Sequence, residues 1–159
     1  MSYRVEVIRS RRRRKTVSAR LVGDVVQVQM PAWMSKADED LYVAHLVERI
    51  ERQRERAKFD VMTRAIKLAA KYDLPLPASV RWVSNQQSLW GSCTIATREI
   101  RVSDRLVPFP SWVLDYVLVH ELAHLAEPSH SKRFWQLVNR YPRAERARGF
   151  LMAKGMGER

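Results

Sequence analysis

Polar and apolar positions alternate through most of the first thirty residues. Tyr3, Val5 and Val7 alternate with Arg4, Glu6 and Ile8, and the pattern resumes at Val17, Ala19 and Leu21 and again at Val26, Val28 and Met30. A period of two is the signature of strands with one face inward. Between the last two runs, Gly23 tolerates positive φ and Asp24 can close an Asx turn, so a tight hairpin is expected there. Residues 1–34 therefore read as a β-rich part built on a small antiparallel sheet. The basic run at 11–15 falls between or inside these strands, and its side chains are expected to alternate between faces instead of forming one tail-like block.

The period then changes. Pro31 ends the strand, Ser35 and Asp38 have the spacing of a capping box, and Leu41, Ala44, Val47 and Ile50 recur at helical intervals. A helix is expected to begin near residue 36. After a charged stretch, Phe59, Met62, Ala65, Ile66 and Ala69 restore the period, so residues 35–74 form one long helix or two in tandem, their arginines lying on an exposed face. Pro75 and Pro77 close that region, and Val80, Trp82, Ile100 and Val102 place strands between 79 and 107. Ser111 is a candidate cap for a helix over 112–126 whose polar members are Asp115, His120, Glu121 and His124. Such a helix must be buried. Pro128 disfavours helix at Glu127 and ends it. A further helix is expected over 131–141, with Phe134, Leu137 and Val138 inward, before Pro142 and a basic C-terminal segment. The fold class is α+β, and 159 residues are expected to make one domain.

Composition narrows the setting. Residues 112–119 are the longest apolar stretch, interrupted by Asp115, and fall far short of the ~20 residues that span a bilayer. No membrane span is expected, and the N-terminus lacks the apolar core of a secretory signal, so a cytoplasmic location is expected. The single cysteine, Cys93, makes no internal disulfide and suits a reducing compartment. Charge is the outlier: 29 Lys and Arg against 17 Asp and Glu give +12, and residues 1–20 carry eight basic residues and one acid. Nucleic acid is therefore a possible partner, although a solvated strand surface accounts for the same charges.

The chemistry concentrates in HELAH, residues 120–124. Positions i and i+4 share one face of a helix, so His120 and His124 can bind one ion while Glu121 points to its side. Three ionisable groups in an apolar helix would cost several kcal/mol to bury unpaired, and a divalent cation offsets that cost. A catalytic zinc takes three protein ligands and a water. His130, six residues after His124 and past the Pro128 break, can turn back to supply the third, and Glu127 is its rival at i+3 from His124. Imidazole suits zinc, and Pro128 disrupts the turn that Glu127 would need, so His130 is favoured. With Zn2+ held this way, Glu121 is the expected general base for peptide-bond hydrolysis on a peptide or protein substrate. His45 reads as a surface or satisfied histidine.

Three segments together, WGSC at 90–93, LDYVLVHELAHL around the histidines and SHSKRFW at 129–135, resemble the YgjP-like metallopeptidase domain family. The resemblance extends more loosely to RRRRKTVSARL and to the Arg-rich helix, and so to almost the whole chain. It implies a small zincin related to the SprT-like and WLM proteases, with a zincin-like catalytic part over 75–159, His120, His124 and His130 on zinc and Glu121 as base. Leu89 departs from the basic or small polar residue usual before WGSC, and residues 95–98 lack the glycine expected in the turn that follows. With three histidines committed to metal, none remains to activate Cys93, which reads as a packed thiol. Trp90 and Trp135 read as core aromatics. By zincin resemblance, the strand over 99–104 is the expected rim along which an extended peptide adds.

Overall fold

A computed structural model describes residues 3–56, 60–86 and 88–155. The chain forms two compact units, residues 1–55 and residues 56–159.

In the first unit, strands β1 (Arg4–Ser10), β2 (Ser18–Val22) and β3 (Val25–Pro31) form one sheet in the order β1-β3-β2. Gly23, at φ 64°, turns β2 directly into β3, and the two pair antiparallel with Val22 opposite Val25. The expected antiparallel sheet is corrected at β1, which runs parallel to β3 with Arg4 opposite Val25 and Ser10 opposite Pro31. Only β2 and β3 are joined by a tight turn. Residues 11–24, β2 among them, form the longer crossover that a parallel pair needs. Residues 11–15 lie in bends and not in a strand, so they do not alternate between sheet faces.

Helix α1 (Lys36–Arg56) starts where Ser35 Oγ accepts the Asp38 N–H at 3.1 Å. The predicted inward set is only half right. Val47 and Ile50 pack on Val26, Val28 and Met30 with Val43 and Leu46, whereas Leu41 is 70% exposed and Ala44 faces solvent. The inward stripe instead begins at Glu39, a buried carboxylate held by Arg9 and by Lys36 Nζ at 2.8 Å. The helical region is two helices, and the second belongs to the other unit. His45 is exposed, as expected of a surface histidine.

In the second unit, α2 (Val61–Tyr72) is capped by Asp60, whose carboxylate accepts the Thr63 N–H at 3.1 Å. Strands β4 (Ser79–Val83), β5 (Gly91–Thr94) and β6 (Glu99–Ser103) form a sheet ordered β4-β6-β5. Here the substrate-rim expectation is overturned. β6 is the middle strand, parallel to β4 on one side and antiparallel to β5 on the other, so its main chain is already hydrogen-bonded along both edges. Its side chains fit the placement, because Ile100 and Val102 are completely buried and the most deeply buried strand takes the centre. β4 and β5 are the outer strands. In the turn between β5 and β6, Arg98 occupies the left-handed region at φ 56°, the role expected of a glycine, and its guanidinium binds the Leu76 carbonyl.

Helix α3 (Ser111–Ala126) runs through the core, buried from Val113 to Ala123 apart from a half-buried Asp115. Asp115 is matched by Arg64, whose Nη2 donates to it at 3.1 Å. Ser111 is the first helical residue and caps nothing, contrary to expectation. Glu127 ends the helix in extended backbone before Pro128. Helix α4 (Lys132–Val138) is capped by Ser131 and stops short of Tyr141, and α5 (Ala144–Ala153) follows. Among the described residues, no helix is long and apolar enough to cross a membrane.

Candidate metal centre

His120 and His124 stand one turn apart on α3, and the chain after Pro128 folds back to bring His130 between them and α4. One ligand-capable nitrogen from each of the three lies within 4.8 Å of the others. His124 Nε2 and His130 Nε2 are 3.1 Å apart. Two nitrogens at ~2.05 Å from a tetrahedral ion would be separated by about 3.3 Å, so the pair is spaced as ligands of one metal are. Glu127 contributes its backbone: its carbonyl lies 3.2 Å from His124 Nδ1, while its carboxylate accepts from Ser129 Oγ. An Nδ1–H bond to that carbonyl leaves the Nε2 lone pair of His124 facing His130. Among the described residues, the geometry therefore brings His130, and not the Glu127 carboxylate, to the pair on α3.

The surroundings of the two α3 rings disfavour their charged forms. Burial is the main cause pulling His120 down to about 3, reinforced by His124, His130 and Arg148, and burial also lowers His124. Neutral imidazole is the form that binds a cation. His120 Nδ1 is buried without a hydrogen-bond partner among the described residues. An unpaired buried nitrogen in a cluster of three imidazoles suits a bound divalent ion.

Aromatic side chains fix the rings. Phe134 is completely buried beneath the cluster, stacked on His124 at 4.4 Å between centroids and edge-on to His120 and His130 at 4.9 and 4.8 Å. Ser131 sets this up by capping α4 with the Phe134 N–H, four residues after His130. Trp135 packs against the core as expected, but from its margin. It is half-buried, stacked on His130 at 5.7 Å, with the Arg148 guanidinium 4.1 Å from its ring centre. Trp90, by contrast, is buried as expected and packs edge-on against Phe109.

The cluster opens onto a cleft of about 220 Å³ walled on the other side by β5. Glu121 of α3 is buried where it lines the cleft, and Gly91 of β5 lies directly against it. A β-carbon at Gly91 would stand 2.9 Å from Glu121 Oε1 and 2.9 Å from Val117 Cγ1. The glycine of WGSC is thus required by close approach of strand to helix, which the residue pattern alone did not disclose. Cys93 also lines the cleft and is only partly buried, yet burial pushes its thiol up to about 11. It stays protonated near neutrality, so it packs without acting as a nucleophile.

The profile of the YgjP-like metallopeptidase domain matches residues 2–153. No curated protein matches the chain significantly. Among solved structures, the metallopeptidase zymogen of Pyrococcus abyssi abylysin aligns with a TM-score of 0.52 at 22% identity, over 58% of this chain and 92% of that one. The metallopeptidase zymogen of Methanocaldococcus jannaschii jannalysin aligns with the same TM-score at 17% identity, over 60% of this chain and 97% of that one. These likenesses are of fold. With the profile spanning nearly all of its length, the chain belongs to the YgjP-like family of metallopeptidase domains.

Proposed function

We propose that this metallopeptidase is zinc-dependent, with His120, His124 and His130 holding the ion, Glu121 as general base, and an extended peptide or protein as substrate. The observation that carries the reading is the convergence of three imidazoles on one cleft beside a buried carboxylate. Three nitrogen ligands with one position left open are the usual set for catalytic zinc. Zinc bound there supplies an acidified water and an electrophile for the scissile carbonyl.

The remaining work falls to the chain. Glu121, one residue after His120 and outside the ligand set, takes a proton as the carbonyl carbon is attacked and returns it to the departing amine nitrogen. Burial between α3 and β5 keeps its carboxylate away from bulk water and aimed at the cleft. β5 pairs with β6 on one edge, and no strand among the described residues occupies the other. A peptide laid along that outer edge hydrogen-bonds to main chain next to Gly91 and Glu121, so substrate and base meet without a large movement.

Cleavage of casein and of a mixed peptide library by the zinc-loaded full chain, with and without chelator, tests this reading against Glu121→Gln. Activity lost to chelator, restored by zinc and absent from a Glu121→Gln protein that still carries zinc supports it. Cleavage by Glu121→Gln within about tenfold of wild type contradicts it, because removing a general base costs about 100-fold or more.

A further inference from the structure

We propose that the first unit carries a binding site for single-stranded nucleic acid, with the Trp33 ring as a stacking platform and Arg11, Arg12, Arg14 and Lys15 as its phosphate contacts. The site has no part in the peptidase chemistry and stands on different residues.

Trp33 is 68% exposed, yet the backbone on both sides of it is tightly held. Arg9 Nη1 donates to the carbonyls of Ala32 at 3.1 Å and Met34 at 2.7 Å. The Ala32 N–H reaches the Ser10 carbonyl at 3.0 Å, and the Met34 side chain is buried in the unit's core. The chain thus spends several hydrogen bonds fixing a loop whose largest side chain remains in water. A rigid exposed aromatic of this kind marks a contact surface, since burying it would otherwise be favourable.

The ring is also tied to the basic segment, because its indole N–H donates to the Arg14 carbonyl at 3.0 Å. Arg11, Arg12, Arg14 and Lys15 are exposed, and none of them makes an ion pair among the described residues. Other cations of the unit do find partners: Arg9 binds Glu39, Arg52 binds Glu48 and Arg13 binds Gln29. Four unpaired cations within five residues, fastened to an exposed ring, are complementary to a phosphate chain carrying free base faces. A base can stack on Trp33 only when its own face is uncovered, which selects single strands over duplex. An anionic membrane is less well matched. A tryptophan anchored at a bilayer surface keeps its N–H for the wet side, whereas here that N–H is already taken by the Arg14 carbonyl.

Fluorescence anisotropy of labelled dT15 and U15 with the full chain, over a range of salt, tests the site, with a 15-base-pair duplex and phosphatidylserine vesicles as competitors. We expect Trp33→Ala to weaken single-strand binding at least about fivefold and Trp33→Phe to stay within about twofold of wild type. The double substitution Arg11→Gln, Arg12→Gln should flatten the logarithmic salt dependence by about 1.4, as loss of two phosphate contacts requires. Relative affinity for dT15 and U15 then says whether DNA or RNA is preferred. Binding unchanged by Trp33→Ala in a folded protein overturns the proposal. So does duplex bound as tightly as single strand, or Trp33-dependent binding to vesicles in place of oligonucleotide.

Discussion

Gly91 on outer strand β5 and Glu121 on the central helix are packed so closely that a single methyl group on the glycine would stand 2.9 Å from the carboxylate oxygen. The strand that offers an open edge and the carboxylate proposed as base are therefore held by one contact. Gly91→Ala must move either Glu121 or Val117, and Val117 is β-branched and set in a buried helix. We expect Gly91→Ala to cost about 1–3 kcal/mol of stability as an overpacked site. Peptidase kcat should fall at least about tenfold, as expected when a catalytic base is displaced, with zinc content unchanged. Kinetics beside metal analysis on the same preparation checks this, and wild-type kcat in the variant would show that Glu121 has room to spare.

Phe134 touches all three histidine rings, so its packing and the metal centre are linked. Phe134→Leu keeps an apolar filler but removes the flat face stacked on His124. A loss of about 10- to 100-fold in zinc affinity is expected, the range seen when a group that orients a ligand is removed. Competition against a chelator of known affinity measures it. Phe134→Ala adds a cavity beneath the cluster and should destabilise the unit by about 3–5 kcal/mol in thermal or denaturant unfolding.

Cys93 provides a chemical test of how closed the cleft wall is. Its thiol is raised to about 11, by burial first and by the Glu121 charge second, with Arg98 opposing. Only the thiolate reacts with iodoacetamide, so alkylation should be slow at pH 8 and rise about tenfold per pH unit until near 11. A rate that levels off by pH 9, as for a free thiol, would mean that the wall opens in solution.

Much of the secondary structure is legible in the residue pattern, and the failures have physical causes. Gly23-Asp24 announces the β2–β3 hairpin because a two-residue turn is a local event. The direction of β1 and the central place of β6 are decided by pairing between distant segments, on which alternation is silent. Leu41 and Ala44 share the spacing of Val47 and Ile50 but lie off the stripe that the sheet covers, so period alone picked them wrongly. Arg98 takes a left-handed conformation that favours glycine, held by its own side chain on Leu76, a bond invisible in the sequence. At the candidate site, HELAH and His130 stand out because histidines at those spacings in an apolar helix call for an explanation. Phe134 looked like any inward aromatic and Gly91 like any loop glycine, since their importance lies in what three-dimensional packing puts beside them.

Glu39 gives the first unit a pH-dependent element. Its carboxyl is held below the usual range by the Lys36 hydrogen bond first and by Arg9 second. A carboxylate whose folded pKa is depressed adds stability above its unfolded pKa, and that stability is lost as pH falls through the folded value. Wild type should therefore melt above Glu39→Gln at pH 7, with the gap closing as pH falls below the usual carboxylate range. Parallel melting curves across that range would show that Glu39 contributes nothing through its charge.

The central claim is that His120, His124 and His130 hold one zinc ion together. Zinc per chain, measured by mass spectrometry on protein reconstituted at low free zinc, tests it most directly in wild type, His124→Ala, His130→Ala and Glu127→Ala. The account predicts about one zinc in wild type and in Glu127→Ala, and a loss of at least about tenfold in affinity in both histidine variants. Wild-type zinc binding in His130→Ala, with zinc lost from Glu127→Ala, would contradict it.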